Sequence, residues 1–420
     1  MQWPNAVPRA SQVVDPPAVL PPFHSTEYSS HLMNFDLEPE HQTLKELVAN
    51  FVRDDLVPLE AALLKRESSG GQWELTSEEH ARLDAVSKAR GLWGLDAPAE
   101  MDGLDLPVVA MVGVNEEFGK TITPYELPPD SPNLRMLLTA ASDEQRATYL
   151  VPYARGETIS AIAVSEPGAG ADPSAMATRA VRDGDDWVIN GRKIWISRAA
   201  RADWTIVMAV TDKAKGARGG ISAFIVDKGT PGFTVERRIP MLGGASTYEV
   251  SFENCRVPHS RMLGIEGQGF APMQARLSSR RLQMAAWCTG RAQRALDMMC
   301  EYAPQRSTFG APLAQRQTVQ WWVADAATRI HACRLMTYEA AARIDRGEEA
   351  RSQVSMVKVF ATEMAWEVID NAMQMFGAMG MTKEMPLQQM ANETRLMRIY
   401  EGPSEVHRWV VARELLGLKR

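Results

Sequence analysis

The sequence predicts an α+β multidomain protein in which a β domain separates two helical regions. Helical periodicity runs from residue 36 to about 156, short β-rich runs broken by Gly, Asp and Pro fill 158–258, and long helical patterns return from 270. The chain has 420 residues, 45% of them hydrophobic, which is enough for two or three domains. We predict a flexible arm (1–34), an N-terminal all-α domain (35–156), a middle β domain (157–269) and a C-terminal helical bundle (270–420).

The first two segments differ in pattern. The arm is rich in Pro and Ser and shows no period. After it, "EHQTLKELVANFVRDDLVPLEAAL" repeats Leu44, Leu47, Val48 and Phe51 at three- and four-residue spacing, which is typical of an amphipathic helix.

The middle segment contains the runs "TISAIAVS", "DWTIVMAV", "ISAFIVDK" and "TYEVSFENCRV", which are rich in β-favouring residues. Within it, "TRAVRDGDDWVINGRKIWIS" predicts two hairpins, with turns at Asp183-Gly184 and at Asn190-Gly191.

The C-terminal segment returns to a helical period. Its stretch "TVQWWVADAATRIHACRLMTYEAAARI" places five apolar residues on one stripe: Val319, Trp322, Val323, Ala326 and Ile330. Several helices of this length predict a bundle.

Composition excludes several classes of function. The formal net charge is -6, with no basic stripe, so we expect no nucleic-acid partner. No apolar run approaches the roughly 20 residues of a membrane span, and the opening "MQWPNAVPRASQVVDPP" lacks the layout of a signal peptide, so we expect a cytoplasmic protein without a membrane partner. The four cysteines form no CxxC pair and the seven histidines form no HExxH, so we expect free thiols and no metal site.

Three stretches each allow a ligand-binding and a plain structural interpretation. "AVSEPGAGADPSA" is a weak glycine-rich signal that suits either a ligand or only a turn. In "NGRKIWIS" the side chains of Trp195 and Ser197 share one strand face, which suits either the binding of a flat ring or an ordinary half-buried strand. "QRSTFGAPLAQRQ" offers Arg306 and Phe309 either for a phosphate and an aromatic ring or as a solvated loop between helices.

Two later stretches are equally open. "NAMQMFGAMGMTKEMPL" ends a helix at Gly377 and Gly380, where a backbone or a ligand could approach closely, although its methionines are more typical of core filling. "RIYEGPSEVHR" places Glu401 in a turn, as a solvated acid or as a catalytic base.

Taken in order, "AVSEPGAGAD", "NGRKIWIS", "RSTFGAPLAQRQ", "QMFGAMGMTKEMPL" and "IYEGPSEVHR" resemble the flavin-dependent acyl-CoA dehydrogenases over about residues 35–418. The resemblance implies a helical domain, a β-barrel domain and a C-terminal four-helix bundle. It also implies FAD, an acyl-CoA substrate converted to a trans-2-enoyl-CoA, an electron-transfer flavoprotein as acceptor, and a homotetramer or homodimer.

The resemblance also implies roles for individual residues. Those implied to line the isoalloxazine are Val164, Ser165, Trp195, Ile196 and Ser197. Those implied at the pyrophosphate and adenosine end of an FAD bound mainly by a neighbouring subunit are Arg306, Phe309, Gln317, Gln374, Gly377 and Ala378. Pro403 and Glu405 stand where relatives use Thr and Gln against the cofactor, and Ala378 replaces the second Gly of a pair. Arg281, Tyr400 and Gly402 are implied to surround the thioester, and Ala171 stands where a Ser often helps to bind CoA in relatives.

The family reaction gives Glu401 a role as the base that removes the α-proton. At the alternative base position of the family this chain has Arg280, which cannot accept a proton. An acyl-CoA oxidase, a flavin monooxygenase on the same fold and a non-catalytic subunit stay open as alternatives. So does the shape of the acyl group, whose pocket floor we expect around "YELPPDSPNLRML".

Overall fold

The computed structural model describes residues 37–129, 131–217 and 219–418. The predicted arm at 1–34 lies outside the described residues. Within them, helices, a β-sheet and further helices follow one another along the chain, as predicted.

The N-terminal region is helical. Its helices are α1 (Pro39–Phe51), α2 (Glu60–Ser68), α3 (Ser77–Ala89), α4 (Val108–Gly119), α5 (Ser131–Ala140), α6 (Asp143–Gln145) and α7 (Val151–Ala154). The predicted apolar stripe of α1 is confirmed, since Val48 and Phe51 are fully buried. Local sequence sets the start of α3: the Thr76 hydroxyl accepts the Glu79 N–H at 3.1 Å, while the Glu79 carboxylate accepts the Thr76 N–H at 2.7 Å.

The middle region is one eight-stranded sheet. Its strands are β1 (Ser160–Ala163), β2 (Arg179–Asp183), β3 (Asp186–Ile196), β4 (Trp204–Val210), β5 (Ile221–Asp227), β6 (Phe233–Pro240), β7 (Ser246–Pro258) and β8 (Met262–Leu263). The strand order is β6-β7-β3-β2-β4-β5-β8, and β1 pairs parallel to β4. Side chains from several strands, among them Ile189, Phe224 and Phe252, form one buried hydrophobic cluster, so the predicted β domain is confirmed.

One of the two predicted hairpins is wrong. The turn at Asp183-Gly184 joins β2 to β3, but Asn190-Gly191 lies inside β3, where the register to β7 shifts. The side chain of Asn190 accepts the backbone N–H of Asn254 at 2.8 Å, and a Cβ on Gly191 would lie 2.4 Å from the Thr178 hydroxyl. Tertiary contacts therefore turn this Asn-Gly pair into a β-bulge.

The C-terminal region contains the longest helices. Its elements are α8 (Phe270–Gln305), a hairpin of β9 (Ser307–Thr308) and β10 (Ala311–Pro312), α9 (Gln317–Asp345), α10 (Arg351–Phe376), α11 (Leu387–Met397) and α12 (Ser404–Leu415). Helices α8, α9 and α10 pack on one another, α12 packs on α10, and α4 and α5 pack on α8. On α9, Val319, Ala326 and Ile330 are buried, and Trp322 and Val323 pack beside them, as predicted. None of the helices in the described part of the chain has the length and apolarity to cross a bilayer.

Candidate active site

The turn that carries Glu401 connects α11 to α12 and is fixed through its backbone. Glu401 has a left-handed backbone with φ of 56°. Its carbonyl oxygen accepts hydrogen bonds from Arg281 Nε at 3.0 Å and from His407 Nε2 at 3.2 Å, and the next carbonyl, of Gly402, accepts one from Lys358 Nζ at 2.7 Å. His407 and Lys358 are almost completely buried. Donors from three helices therefore fix the position of this turn.

The carboxylate of Glu401 is paired with Arg276 on α8. Nη1 of Arg276 lies 3.1 Å from each carboxylate oxygen, and Nε donates to Oδ1 of Asn133 at 2.8 Å. Asn133 in turn donates to the Ser160 hydroxyl at 2.7 Å. Arg276 is only 8% exposed and the Glu401 side chain 15%, so the pair lies in a largely dry environment.

The arginines of α8 decide the protonation state of Glu401. Burial raises the pKa of the carboxyl, but Arg276, Arg280 and Arg281 outweigh it and lower the pKa below its ordinary value. Glu401 is therefore an anion that can accept a proton. Desolvation by itself would make Glu401 a stronger base, but the neighbouring guanidinium groups oppose this effect because they stabilise the anion.

The buried donors around the turn have shifted pKa values. Burial lowers the pKa of Lys358 to about 8 and that of Arg281 to about 10. Burial, together with Arg281 and Lys358, lowers the pKa of His407 to about 3. His407 is therefore neutral, and its Nε2 must carry the hydrogen that the Glu401 carbonyl accepts.

The predicted flavin-lining residues come together at the end of β3. The N–H of Ile194 donates to the Ser165 carbonyl at 2.9 Å, and the buried Lys193 donates to the Val164 carbonyl at 3.0 Å. Trp195 is 51% exposed, at φ of 65°, and Ser197 is exposed too. The side chain of Ile196 instead packs in the β core, so only its backbone can face a ligand.

Glu126 connects this strand end to α8. One of its carboxylate oxygens lies 3.0 Å from Arg198, which follows β3, and 3.4 Å from Arg280. Glu126 and Asn133 both belong to the segment around the predicted pocket floor. The indole and hydroxyl of the strand end therefore lie close to the helix whose arginines surround Glu401.

The residues expected at the adenosine end lie elsewhere, on the surface. Arg306, Phe309, Gln317, Gln374, Gly377 and Ala378 are all exposed. Stacking of Tyr302 on Phe376, with centroids 4.1 Å apart, joins the C-terminal ends of α8 and α10. Arg306 directly follows α8, and Gly377 directly follows α10. Of the remaining predicted residues, Pro403 precedes the first turn of α12, Tyr400 is partly exposed, and Glu405 and Ala171 are exposed.

These residues fit FAD. An exposed indole beside an exposed hydroxyl suits a flat ring with a polar edge. Gly377 has φ of 62° and open space where a Cβ would lie, so a ligand can approach its backbone. The guanidinium of Arg306 and the fully exposed ring of Phe309 suit a phosphate and an aromatic base.

Sequence reasoning missed several residues of the site: Arg276, Asn133, Glu126, Lys358 and His407. Arg276 precedes Arg280 by one helical turn and so shares its face, and this spacing was a usable signal. Lys358 interrupts the apolar run "VSMVKVF", which marks a lysine at a core position. Glu126 and Asn133 lie in the segment expected to form the pocket floor, but nothing in the sequence singles out either residue within that segment.

Models of one protein family match most of the chain. The acyl-CoA dehydrogenase N-terminal domain matches residues 38–157, the middle domain 161–255 and the C-terminal domain 267–416.

Known relatives agree with these matches. The chain is 40% identical over 394 residues to (R)-benzylsuccinyl-CoA dehydrogenase of Thauera aromatica, covering 91% of this chain and 97% of that one. It is 34% identical over 389 residues to the mitochondrial short-chain specific acyl-CoA dehydrogenase of Mus musculus, covering 91% of each. A solved structure, PigA with FAD and proline, superimposes with a TM-score of 0.83 at 27% identity, covering 91% of this chain and 99% of that one. The chain belongs to the acyl-CoA dehydrogenase family of FAD-dependent oxidoreductases.

Proposed function

We propose that this protein oxidises an acyl-CoA thioester to the trans-2-enoyl-CoA and that Glu401 is the base. The observation that carries the proposal is a largely buried, anionic Glu401 on a turn held by Arg281, Lys358 and His407. This turn lies beside a helix that is connected to the Trp195 strand end. A carboxylate in a water-poor site suits removal of a weakly acidic α-proton. In the reaction, the α-C–H bond breaks with its proton passing to Glu401, the β-hydrogen leaves with its electron pair, and the double bond forms between the two carbons. FAD supplies the acceptor for this hydride.

The residues of this chain would bind and orient the reactants. We propose that Val164, Ser165, Trp195 and Ser197, with the backbone of Ile196, line the isoalloxazine. Arg281, Tyr400, Gly402 and Ala171 would lie along the thioester. Within the described residues the N–H of Glu401 makes no backbone hydrogen bond, so it can donate to the thioester carbonyl and stabilise charge that develops there.

The adenosine-end residues suit a cofactor shared between subunits. Phe309 is completely exposed, and Arg306 and Gln374 are exposed as well. We propose that these residues, together with Gln317, Gly377, Ala378, Pro403 and Glu405, complete FAD sites in a homodimer or homotetramer. Electron-transfer flavoprotein is the acceptor we propose, and the cytoplasmic location stays a prediction.

The acyl group stays open between two kinds. A benzylsuccinyl thioester is a half-thioester of a dicarboxylic acid and keeps one free carboxylate, whereas a plain short-chain acyl group has none. The substrates named for the two relatives thus differ in whether the acyl group carries a negative charge close to the reacting carbons.

The test is Glu401→Gln, with Glu414→Gln, an exposed acid on α12, as the matched control. Both variants should bind FAD. Anaerobic bleaching of the flavin band by acyl-CoA esters should slow by about 10²- to 10⁴-fold in Glu401→Gln, because an amide accepts no proton, and should be unchanged in the control. Bleaching of Glu401→Gln at the wild-type rate would show that another group is the base.

The alternatives give different results in the same experiment. Rapid reoxidation of the reduced flavin by oxygen would indicate an oxidase or a monooxygenase. A chain that neither purifies with FAD nor takes it up would indicate a non-catalytic subunit.

A further inference from the structure

Arg276 is held in place by contacts other than its ion pair with Glu401. Its Nε donates to Asn133, which is itself buried and anchored on Ser160. This support comes from α5 and β1 and does not involve Glu401. The guanidinium would therefore stay in place if Glu401 ceased to be its partner.

The reaction does remove that partner. When Glu401 accepts the α-proton its charge disappears, and Arg276, 8% exposed, is left as a buried cation facing a neutral acid. Leaving a buried charge without its partner is strongly unfavourable. Before the reaction, the same pair lowers the pKa of Glu401 and so weakens the base. With an uncharged acyl group, both effects oppose proton transfer.

An anion on the substrate removes both difficulties. If a substrate carboxylate takes the guanidinium of Arg276, Glu401 is released from its ion pair and regains proton affinity. Arg276 then keeps a counter-ion after Glu401 is protonated. Arginine suits this role because its planar group can bind one carboxylate while its Nε stays on Asn133.

We propose that Arg276 is a specificity residue that binds a free carboxylate carried by the acyl group of the CoA thioester. The inference rests on the proposed function, since it takes Glu401 as the base. It makes the substrate a half-thioester of a dicarboxylic acid.

The distances also limit where the carboxylate sits. Arg276 Nη1 lies 3.1 Å from both oxygens of Glu401, and the base must approach the α-carbon closely during proton transfer. A substrate carboxylate that reaches the same guanidinium therefore lies within roughly 9 Å of the α-carbon, the sum of three contacts of about 3 Å each. A 2-substituted succinyl thioester or a glutaryl thioester meets this limit, whereas a long chain with a terminal carboxylate does not.

The first test measures binding alone. The FAD-loaded protein is titrated by calorimetry with the unreactive CoA thioether that corresponds to a 2-substituted succinyl thioester, and with the methyl ester of its free carboxylate. Wild type should bind the acid at least 30-fold more tightly than the ester, and Arg276→Gln should reduce this ratio to about one. Arg276→Lys should restore part of it.

The second test measures flavin bleaching by 2-benzylsuccinyl-CoA, glutaryl-CoA and their methyl esters. Wild type should prefer the acids, and Arg276→Gln should lose activity with the acids but not with the esters. Arg294→Gln is the matched control. It removes a guanidinium on the same helix that donates to both oxygens of Glu60 at 2.7 Å, and it should leave the preference intact.

Several outcomes would overturn the proposal. Equal binding of acid and ester by wild type would do so even if no Arg276 variant folds. An equal loss for both ligands in Arg276→Gln would show that Arg276 only supports the turn. If the thioether acid binds through Arg276 but no thioester bleaches the flavin, the carboxylate site stands and the proposed reaction fails. Bleaching by uncharged esters alone would leave the reaction standing and refute the carboxylate site.

Discussion

Replacing His407 with glutamine should remove part of the acid sensitivity of the fold. In the structure His407 is 1% exposed, its Nε2 donates to the Glu401 carbonyl, and its buried Nδ1 has no hydrogen-bond partner among the described residues. A proton on Nδ1 would therefore be a buried, unpaired charge close to Arg281 and Lys358. This is the physical reason for the low pKa of His407, about 3 against an ordinary 6.5.

The size of the effect follows from these two pKa values. Between pH 6.5 and 3 the unfolded chain binds a proton at His407 and the folded chain does not. The contribution of His407 to the free energy of unfolding is therefore fully present above pH 6.5 and decreases as the pH falls towards 3. From pH 7 to pH 5 the loss is about 2 kcal/mol in the free energy of unfolding. For a protein of this length, that corresponds to about 2 to 3 °C in Tm.

The assay compares wild type with His407→Gln by denaturant unfolding at pH 7 and pH 5, followed by tryptophan fluorescence. Glutamine keeps an N–H donor for the Glu401 carbonyl but has no proton to gain. Wild type should lose about 2 kcal/mol more than the variant between the two pH values, and the difference cancels the contributions of all other titrating groups. An equal loss in both proteins would refute the assignment of His407 as a buried neutral imidazole.

Two further predictions concern the same turn. Gly402→Ala should slow flavin bleaching by roughly 10- to 100-fold, because φ is 94° and the new Cβ would lie 3.1 Å from His407 Nε2. Gly347→Ala is the control: its φ is 73° and the space around it is open, so it introduces the same kind of backbone strain without a steric contact. It should leave the rate of flavin bleaching unchanged. The pKa of Lys358 is about 8 in the folded chain against an ordinary 10.5, so between these pH values only the unfolded chain binds the proton. The free energy of unfolding of wild type should therefore rise by about 3 kcal/mol from pH 8 to 10.5. Lys358→Met should remove this rise. Thermal unfolding of both proteins across this range measures the effect, and parallel curves would contradict it.

Local sequence determined the fold class and the main secondary-structure elements. Three- and four-residue spacing marked α1 and α9, the capping residues Thr76 and Glu79 fixed the start of α3, and β-rich runs marked the sheet. These signals are readable because each depends on residues close together in the chain. The order of five short motifs was likewise enough to indicate the family and FAD.

Tertiary structure decided what sequence spacing could not show. It made Asn190-Gly191 a bulge rather than a turn, because the partner of Asn190 is the backbone of Asn254, 64 residues away. It also paired Glu401 with Arg276, 125 residues earlier in the chain, and fixed Arg276 on Asn133. Sequence alone proposed a base at Glu401. Its charge, its strength and the acyl group it suits depend on which distant cations burial brings beside it, because a charge in a dry interior interacts strongly with its neighbours.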